Sequence, residues 1–294
     1  MDISNPSTSS DSFNPEIIYE DSELLAINKP AGVVVNQSST AKDQTVQSWF
    51  FQRLGGMNTL KETLKDDEWI KMIPSDFSEK YGTPQEIFKQ RQGLVHRLDK
   101  DTSGILILAK NPGSLVNLLA QFRQREVKKK YLCLVHGKMK VDSTSIKAPI
   151  ARSRVDRHKF TADIEGRTAV THYRVVKFFS TSGLMQLIQE SDALSVAKLK
   201  KELNSYQQGF SLLECLLETG RTHQIRVHLA HIGHPIVADG TYGGGRRSAL
   251  DKKWCSRQFL HAAALEVRHP KTGKRMVLKA NLTDDLQNVI EKFE

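Results

Sequence analysis

At 294 residues, with 39% hydrophobic and 26% charged side chains, the chain can bury a sizeable core, which excludes a disordered or fibrous polypeptide. No stretch approaches the roughly 20 apolar residues of a membrane span. Met1–Pro15 lacks the basic start and apolar middle of a secretion signal, so a cytoplasmic protein without membrane contact is expected. The net charge of +10, from 43 Lys and Arg against 33 Asp and Glu, favours polyanionic partners.

Residues 1–14, rich in Ser, Asn, Pro and Asp, read as a disordered tail. Strands are expected at Ile17–Tyr19 and Leu24–Ile27, then a break at Lys29-Pro30-Ala31-Gly32 and renewed extended structure at Val33–Val35. Thr45–Leu54 reads as a short helix. Lys61–Met72 and Pro84–Gln90 read as helical pieces of a charged surface excursion. The run Ile105–Leu108 predicts a buried strand, and Asn111-Pro112 opens a helix whose Leu115, Leu118, Leu119 and Phe122 share one face. Tyr131–Val135 is the next strand, and residues 141–182 read as short strands and turns. A helical pattern follows at 190–207, then a strand at Ser211–Glu218 and a helix from Thr222 to about Ile232, stopped by Gly233. Strands at Ala262–Val267 and Met276–Ala280 precede a last helix from Asp284. Irregular interspersion of strands and helices favours an α+β fold with a mixed, mainly antiparallel central sheet flanked by helices and loops.

His96-Arg97-Leu98-Asp99-Lys100-Asp101-Thr102-Ser103-Gly104 crowds polar groups directly before the buried strand, a frequent place for catalytic residues on a rigid scaffold. Positive neighbours favour an ionised, nucleophilic Asp99. A capping or turn aspartate is the plain alternative. Thr102 and Ser103 fit no serine-nucleophile elbow and are expected to hydrogen-bond the loop that presents Asp99.

The fifteen residues HRLDKDTSGILILAK resemble the signature of the RluA-type family of RNA pseudouridine synthases. IIYEDSELLAINKPAGVVV, KKKYLCLVHG, TGRTHQIRVHLAHIGHPIVADGTYGG and LHAAALEVRHPKTG agree with that family in order. The resemblance implies the pseudouridine synthase fold and an isomerase that uses no cofactor and no metal. Asp99 falls on the family's catalytic aspartate, Tyr131 on its active-site tyrosine, and Arg226 on the arginine that pairs with the aspartate. Arg97 falls on an arginine that helps hold the target base out of the stack. Asp99 is expected to open the glycosidic bond at C1′. Tyr131 is a candidate to take a sugar proton on a glycal route, and Arg226 is expected to hold the carboxylate through a charge-assisted hydrogen bond. Substrate contacts are expected from Arg97, His96, Thr102, Lys130, Arg221, His223 and Gln224, and the partner is structured ribosomal or transfer RNA. One catalytic domain, 15–294, without an S4 domain and with insertions at 56–92 and 184–209, is expected to act as a monomer.

Other features carry less. His223, His228, His231 and His234 lie close together, but without HExxH or a close carboxylate they favour packing and RNA contacts over zinc. Gly243-Gly244-Gly245-Arg246-Arg247 fits no P-loop and reads as a basic loop or a plain turn. Lys128–Lys130 is either a solvated run or a phosphate contact. Trp49, Trp69 and Trp254 are expected in the core. Cys133, Cys215 and Cys255 are far apart in sequence and odd in number, so neither a disulfide framework nor a CxxC metal site is written. Two other functions remain at this level: an RNA-binding protein without catalysis, and a hydrolase of nucleic-acid glycosidic bonds.

Overall fold

The computed structural model describes residues 13–37, 44–56, 67–180, 206 and 208–293. The first half of the described chain runs β1 (Glu16–Glu20), β2 (Leu24–Lys29), α1 (Val46–Arg53), α2 (Pro84–Arg91), β3 (Ser103–Ala109), α3 (Pro112–Arg123) and β4 (Lys128–His136). Then come β5 (Ser143–Lys147), β6 (Ile150–Arg152), β7 (Phe160–Ala162), β8 (Val170–Phe179) and β9 (Phe210–Leu217). The chain closes with α4 (Gln224–His231), α5 (Gly245–Asp251), β10 (Leu260–Arg268), β11 (Arg275–Lys279) and α6 (Asp284–Glu291).

Sidedness of the apolar residues decides the layers. On β3, Ile105, Ile107 and Ala109 pack with Leu115 and Leu118 of α3, while Leu106 and Leu108 pack on the other face with Trp49 and Phe50 of α1. Neighbouring β2 divides in the same way, Leu24 and Ala26 to one side, Leu25 and Ile27 to the other. Covered on both faces, these strands need no polar alternation, which is why they read as unbroken apolar runs. A Leu106→Ala cavity here costs about 2–5 kcal/mol. The helices are punctuated locally. Thr45 and Ser48 form a reciprocal capping box on α1, and the Asn111 side chain accepts from the Ser114 amide ahead of Pro112.

The main sheet runs β1-β2-β3-β10-β4-β9-β8-β5, with β11 on β10, while β6 and β7 form a separate hairpin. Every pairing is antiparallel except β10 with β3. At β10 the sheet forks. His261 and Ala262 face β3, and Ala264–Arg268 face β11. The approach of β3 to β10 is so close that a Cβ on Gly104 (φ +115°) would lie 2.3 Å from the Ala262 carbonyl oxygen. Only glycine fits there. The polar segment before β3 is thereby delivered to the middle of the sheet.

Most sequence expectations lie close to observed elements, and some differ for physical reasons. Val33–Val35 joins no strand; the carbonyls of Val34 and Val35 accept from the Val46 and Gln47 amides, satisfying donors at the open start of α1. The described part of Lys61–Met72 is a 3-10 helix, Asp67–Met72. Glycines 243–245 do not make a loop alone, because Gly244 is the N-cap of α5. The helical pattern at 190–207 falls outside the described residues except for Tyr206. Phe13, within the expected tail, sets its ring edge-on to Trp49 at 5.4 Å. Cys133 and Cys215, far apart in sequence, bring their sulfurs to 3.6 Å as buried free thiols on β4 and β9. All three tryptophans are buried. No helix among the described residues is long and apolar enough to cross a membrane.

Candidate active site

The segment entering β3 alternates its burial. Leu98 packs beside Leu106 and Leu108, which turns Asp99 toward a cavity of about 270 Å³. The loop itself is heavily tied. Neutral His96, its pKa pushed down to about 3 by burial and then by the Lys129 charge, accepts the Ile107 amide at Nε2 (3.1 Å) and stacks on Phe122. Thr102 donates its amide to the Asp99 carbonyl and accepts from Gln258 Nε2 at 2.9 Å. Ser103 Oγ is bonded to His261 Nδ1 and accepts from Arg257 Nη2. Fully buried Lys29 donates to the carbonyls of Pro30, Val33 and Lys100, at 2.7, 3.0 and 3.0 Å. Its burial, and then the Arg257 charge, lower its pKa to about 7.

Across the cavity lies the start of α4. Gln224 is fully engaged: its oxygen accepts from Thr219 Oγ1 and the Arg221 amide, and its nitrogen donates to the Val170 carbonyl and Thr171 Oγ1. His228 is anchored to Thr171 Oγ1 and the Ala148 carbonyl. With its first turn pinned to β8, α4 aims Arg226 into the site. Arg226 Nη1 donates to Asp99 Oδ2 at 3.0 Å, while Nε and Nη2 donate to the two oxygens of Asp239 at 2.7 and 2.9 Å. Thr241 Oγ1 accepts from Nη2 as well, and the Tyr242 ring lies 5.1 Å from the guanidinium carbon. The side-on, two-bond partner of Arg226 is thus Asp239; Asp99 receives one bond. This anchors Asp99 Oδ2 and leaves Oδ1 facing the cavity, 3.8 Å from His223 Nε2.

Asp239 is itself fixed. It is fully buried, and its Oδ1 accepts the amides of Thr241 and Tyr242. The preceding residue, Ala238, holds a left-handed φ of 59°, and its amide donates to Asp251 Oδ2 on α5. Asp251 also receives the Tyr206 hydroxyl and contacts His136 Nε2 at 2.9 Å.

His223 caps α4 with φ 56°. The Tyr242 hydroxyl accepts from the Phe160 amide and meets His223 Nδ1 at 2.9 Å. If that hydroxyl donates its proton to Nδ1, the imidazole carries its own on Nε2, toward Asp99. Burial, against the pull of Asp99, lowers the His223 pKa and favours this neutral form.

On β4, Lys129 and Tyr131 share the cavity face, two residues apart. Lys130 does not join them: it forms an ion pair with Glu214 at 2.8 Å and lines no part of the cavity. The expected lysine contact therefore passes to Lys129, whose pKa is lowered to about 8 by burial and by the charges of Arg125 and Arg221. Burial, then the Asp99 charge, push the Tyr131 phenol well above its ordinary value. At neutral pH this ring offers a face and a hydroxyl, not a phenolate base. Arg97 is exposed on the rim, and Arg221 lines the cavity while donating to the Thr168 carbonyl.

Of the ten residues expected from sequence, nine line one cavity. Three of those nine, His96, Thr102 and Gln224, spend their polar atoms on the scaffold. Asp239 and Tyr242 were missed, and Lys129 was expected only as one member of the run Lys128–Lys130. Strand periodicity carried the signal for Lys129, at two residues from Tyr131; only tertiary contact identifies Asp239, thirteen residues beyond Arg226. Among the described residues no cluster of His, Cys, Asp and Glu is arranged to hold a metal ion.

Comparison with known proteins identifies the family. The family model described as RNA pseudouridylate synthase matches residues 23–231. An uncharacterized RNA pseudouridine synthase, YlyB of Bacillus subtilis, is 34% identical over 278 residues, 95% of this chain and 72% of the relative. Ribosomal large subunit pseudouridine synthase D of Zymomonas mobilis is 33% identical over 278 residues, 92% and 70% of the two chains. Among solved structures, human RNA pseudouridylate synthase domain containing 1 shares the fold with a TM-score of 0.59 at 20% identity, covering 95% of this chain and 94% of its own.

Proposed function

The chain belongs to the RNA pseudouridylate synthase family, and on that premise we propose that it isomerises uridines of structured RNA with Asp99 as the nucleophile and without a cofactor. It is an isomerase acting on RNA. The observation that carries the assignment of Asp99 is its geometry: one carboxylate oxygen anchored by Arg226, the other free in a cavity walled by Tyr131.

The reaction breaks N1–C1′, turns the uracil, and joins C5 to C1′; N1 gains a proton and C5 loses one, so no redox partner or group donor is needed. Oδ1 of Asp99 either attacks C1′ or removes the C2′ proton. The raised pKa of Tyr131 favours the carboxylate over the phenol as the base, contrary to the expectation from sequence. A cavity of about 270 Å³ lies just below the usual range of ligand pockets, roughly 300–1,000 Å³. It takes one nucleoside and no base pair, so the target must be extruded, at an unstacking cost of a few kcal/mol. Arg97 on the rim is placed to fill the gap left in the stack. Lys129 and Arg221, like charges crowded at one edge, gain from a phosphate between them.

Relatives named for the large ribosomal subunit make ribosomal RNA the first substrate to test and transfer RNA the second. The experiment incubates the enzyme with both RNAs from cells lacking it and maps pseudouridine. Asp99→Asn should abolish product while RNA affinity stays within a few-fold. Absence of product with wild-type enzyme, or undiminished turnover by the variant, would refute the proposal.

A further inference from the structure

Asp99 opens a β-turn, and that turn is held from outside. The Thr102 amide donates to the Asp99 carbonyl at 3.1 Å and closes it. Each of the two central carbonyls accepts from a cation. Lys100 O receives Lys29 Nζ at 3.0 Å, together with the Gly32 amide, and Asp101 O receives Arg257 Nη1 at 3.0 Å. The two residues that follow are bonded by the segment that carries Arg257. Gln258 Nε2 donates to Thr102 Oγ1, Arg257 Nη2 donates to Ser103 Oγ at 3.0 Å, and His261 Nδ1 is bonded to the same Ser103 oxygen. Residues 101–103 are thus gripped by three side chains from residues 257–261.

Arg257 has a second anchorage. Its side chain is only 10% exposed, and Nε and Nη2 form a side-on, two-bond pair with Asp285 at 2.6 and 3.1 Å. Nη2 also donates to Thr283 Oγ1 at 2.8 Å. Thr283 is the N-cap of α6 and Asp285 lies in its first turn, while Leu286, Val289 and Ile290 seat that helix in the core. A guanidinium carries five N–H groups in a rigid planar fork. Here the fork joins a core-docked helix to the turn that presents Asp99. Arg257 lines no part of the reaction cavity.

We propose that Arg257 is a positioning residue for the isomerisation: anchored on Asp285, it fixes the turn Asp99–Thr102 and through it the aim of Asp99 Oδ1. The proposal rests on the reading that Asp99 is the nucleophile. Asp99 is then held twice, its carboxylate by Arg226 and its backbone turn by Arg257. The first turn of the C-terminal helix becomes part of the machinery of the site without approaching the substrate.

The test uses the full chain and single-turnover release of tritium from ribosomal RNA labelled at uridine C5, with filter binding for affinity. Arg257→Met should slow the chemical step about 10²-fold, the cost of an ångström-scale misplacement, with RNA affinity within about threefold. Arg257→Lys keeps the charge without the fork and should stay at least about tenfold slow. Asp285→Ala removes the anchor at a partly exposed position, leaves the bonds to the turn in place, and should slow the step about tenfold. The double variant Arg257→Met/Asp285→Ala should lose no more than Arg257→Met alone, because both substitutions undo one linkage. Ile290→Ala cuts a buried side chain from the same helix without touching the turn; it should lower Tm and leave the rate within about twofold. A rate for Arg257→Met no lower than that of Ile290→Ala would overturn the proposal. So would a loss of affinity with the rate intact, which would make Arg257 an RNA contact, or losses that multiply in the double variant. If Arg257→Met does not fold, Asp285→Ala set against Ile290→Ala decides by the same comparison. Undiminished turnover by Asp99→Asn defeats the parent reading instead, and with it the role given to Arg257.

Discussion

Removing the charge of Asp239 should damage catalysis without touching the substrate. In Asp239→Asn the amide oxygen at the Oδ1 position can still accept from the Thr241 and Tyr242 amides and from Arg226 Nη2, but the nitrogen at the Oδ2 position then meets Arg226 Nε–H, donor against donor. One charge-assisted bond is lost, the other no longer has a charged acceptor, and buried Arg226 keeps Asp99 as its only bonded carboxylate. Breaking one side of a buried pair costs about 3–5 kcal/mol. At roughly 2–4 °C per kcal/mol for chains of about this size, Tm should drop by about 10 °C. The guanidinium is then free to swing both arms onto Asp99, moving and neutralising the carboxylate; a misplacement of this kind costs about 10²-fold in rate. Single-turnover release of tritium from RNA labelled at uridine C5 measures the chemical step, and filter binding measures affinity, expected within threefold. Glu23→Gln is the comparison, since Glu23 is a buried carboxylate hydrogen-bonded by Asn111 and Ser114 at the far end of β2. It should lower Tm and leave the rate alone. If Asp239→Asn lowers Tm but keeps the rate within threefold of wild type, Asp239 is a structural residue only and the reasoning is wrong.

Arg226→Lys should lower kcat at least 10²-fold with RNA affinity little changed, because one ammonium cannot reach Asp239 side-on and Asp99 together; kinetics with weakened affinity and normal kcat would contradict this. Lys129 loses its proton as pH rises through about 8, so RNA affinity should fall between pH 7 and 9. Lys129→Arg should flatten that dependence, and an unchanged pH profile would remove Lys129 from the anion rim. For Lys29 the folded pKa is near 7 against 10.5 for an ordinary lysine. Between those values the unfolded chain binds more protons, so stability should rise with pH across that window. Denaturant melts of Lys29→Met should show a smaller rise, and an equal one would show that Lys29 is not the group responsible.

Legibility from sequence followed the range of the interactions. The β3 run and the α3 face were readable because burial on both sides, and a 3.6-residue stripe, leave their mark within a dozen residues. Asp99, Tyr131 and Arg226 came from motif resemblance, not from periodicity. Within the run Lys128–Lys130, Lys130 was preferred to Lys129 because adjacency to Tyr131 in sequence was read as adjacency in space, whereas neighbours on a strand face opposite ways. Gln224 looked like a substrate contact because nothing local shows that β8 and the 219–221 turn consume its amide. Helix α5 lay hidden behind three glycines, although it supplies the carboxylate that holds Ala238 in its left-handed turn.

The charge count of the site explains why a second aspartate is there at all. An arginine paired with Asp99 alone would orient that carboxylate and, in the same act, draw down its electron density and its nucleophilicity. With Asp239 taking two of the guanidinium's bonds, the positive charge is already balanced, and the bond to Asp99 acts chiefly as a tether. Asp99, Arg226 and Asp239 together carry one net negative charge, in a cavity otherwise rimmed by Lys129, Arg221 and Arg97. In the proposed reaction that rim attracts the phosphate backbone, and the excess negative charge lies beside the sugar carbon that becomes electron-poor as its bond to the base breaks. Separating the two signs by a few side chains lets one small cavity bind a polyanion and still stabilise a developing cation.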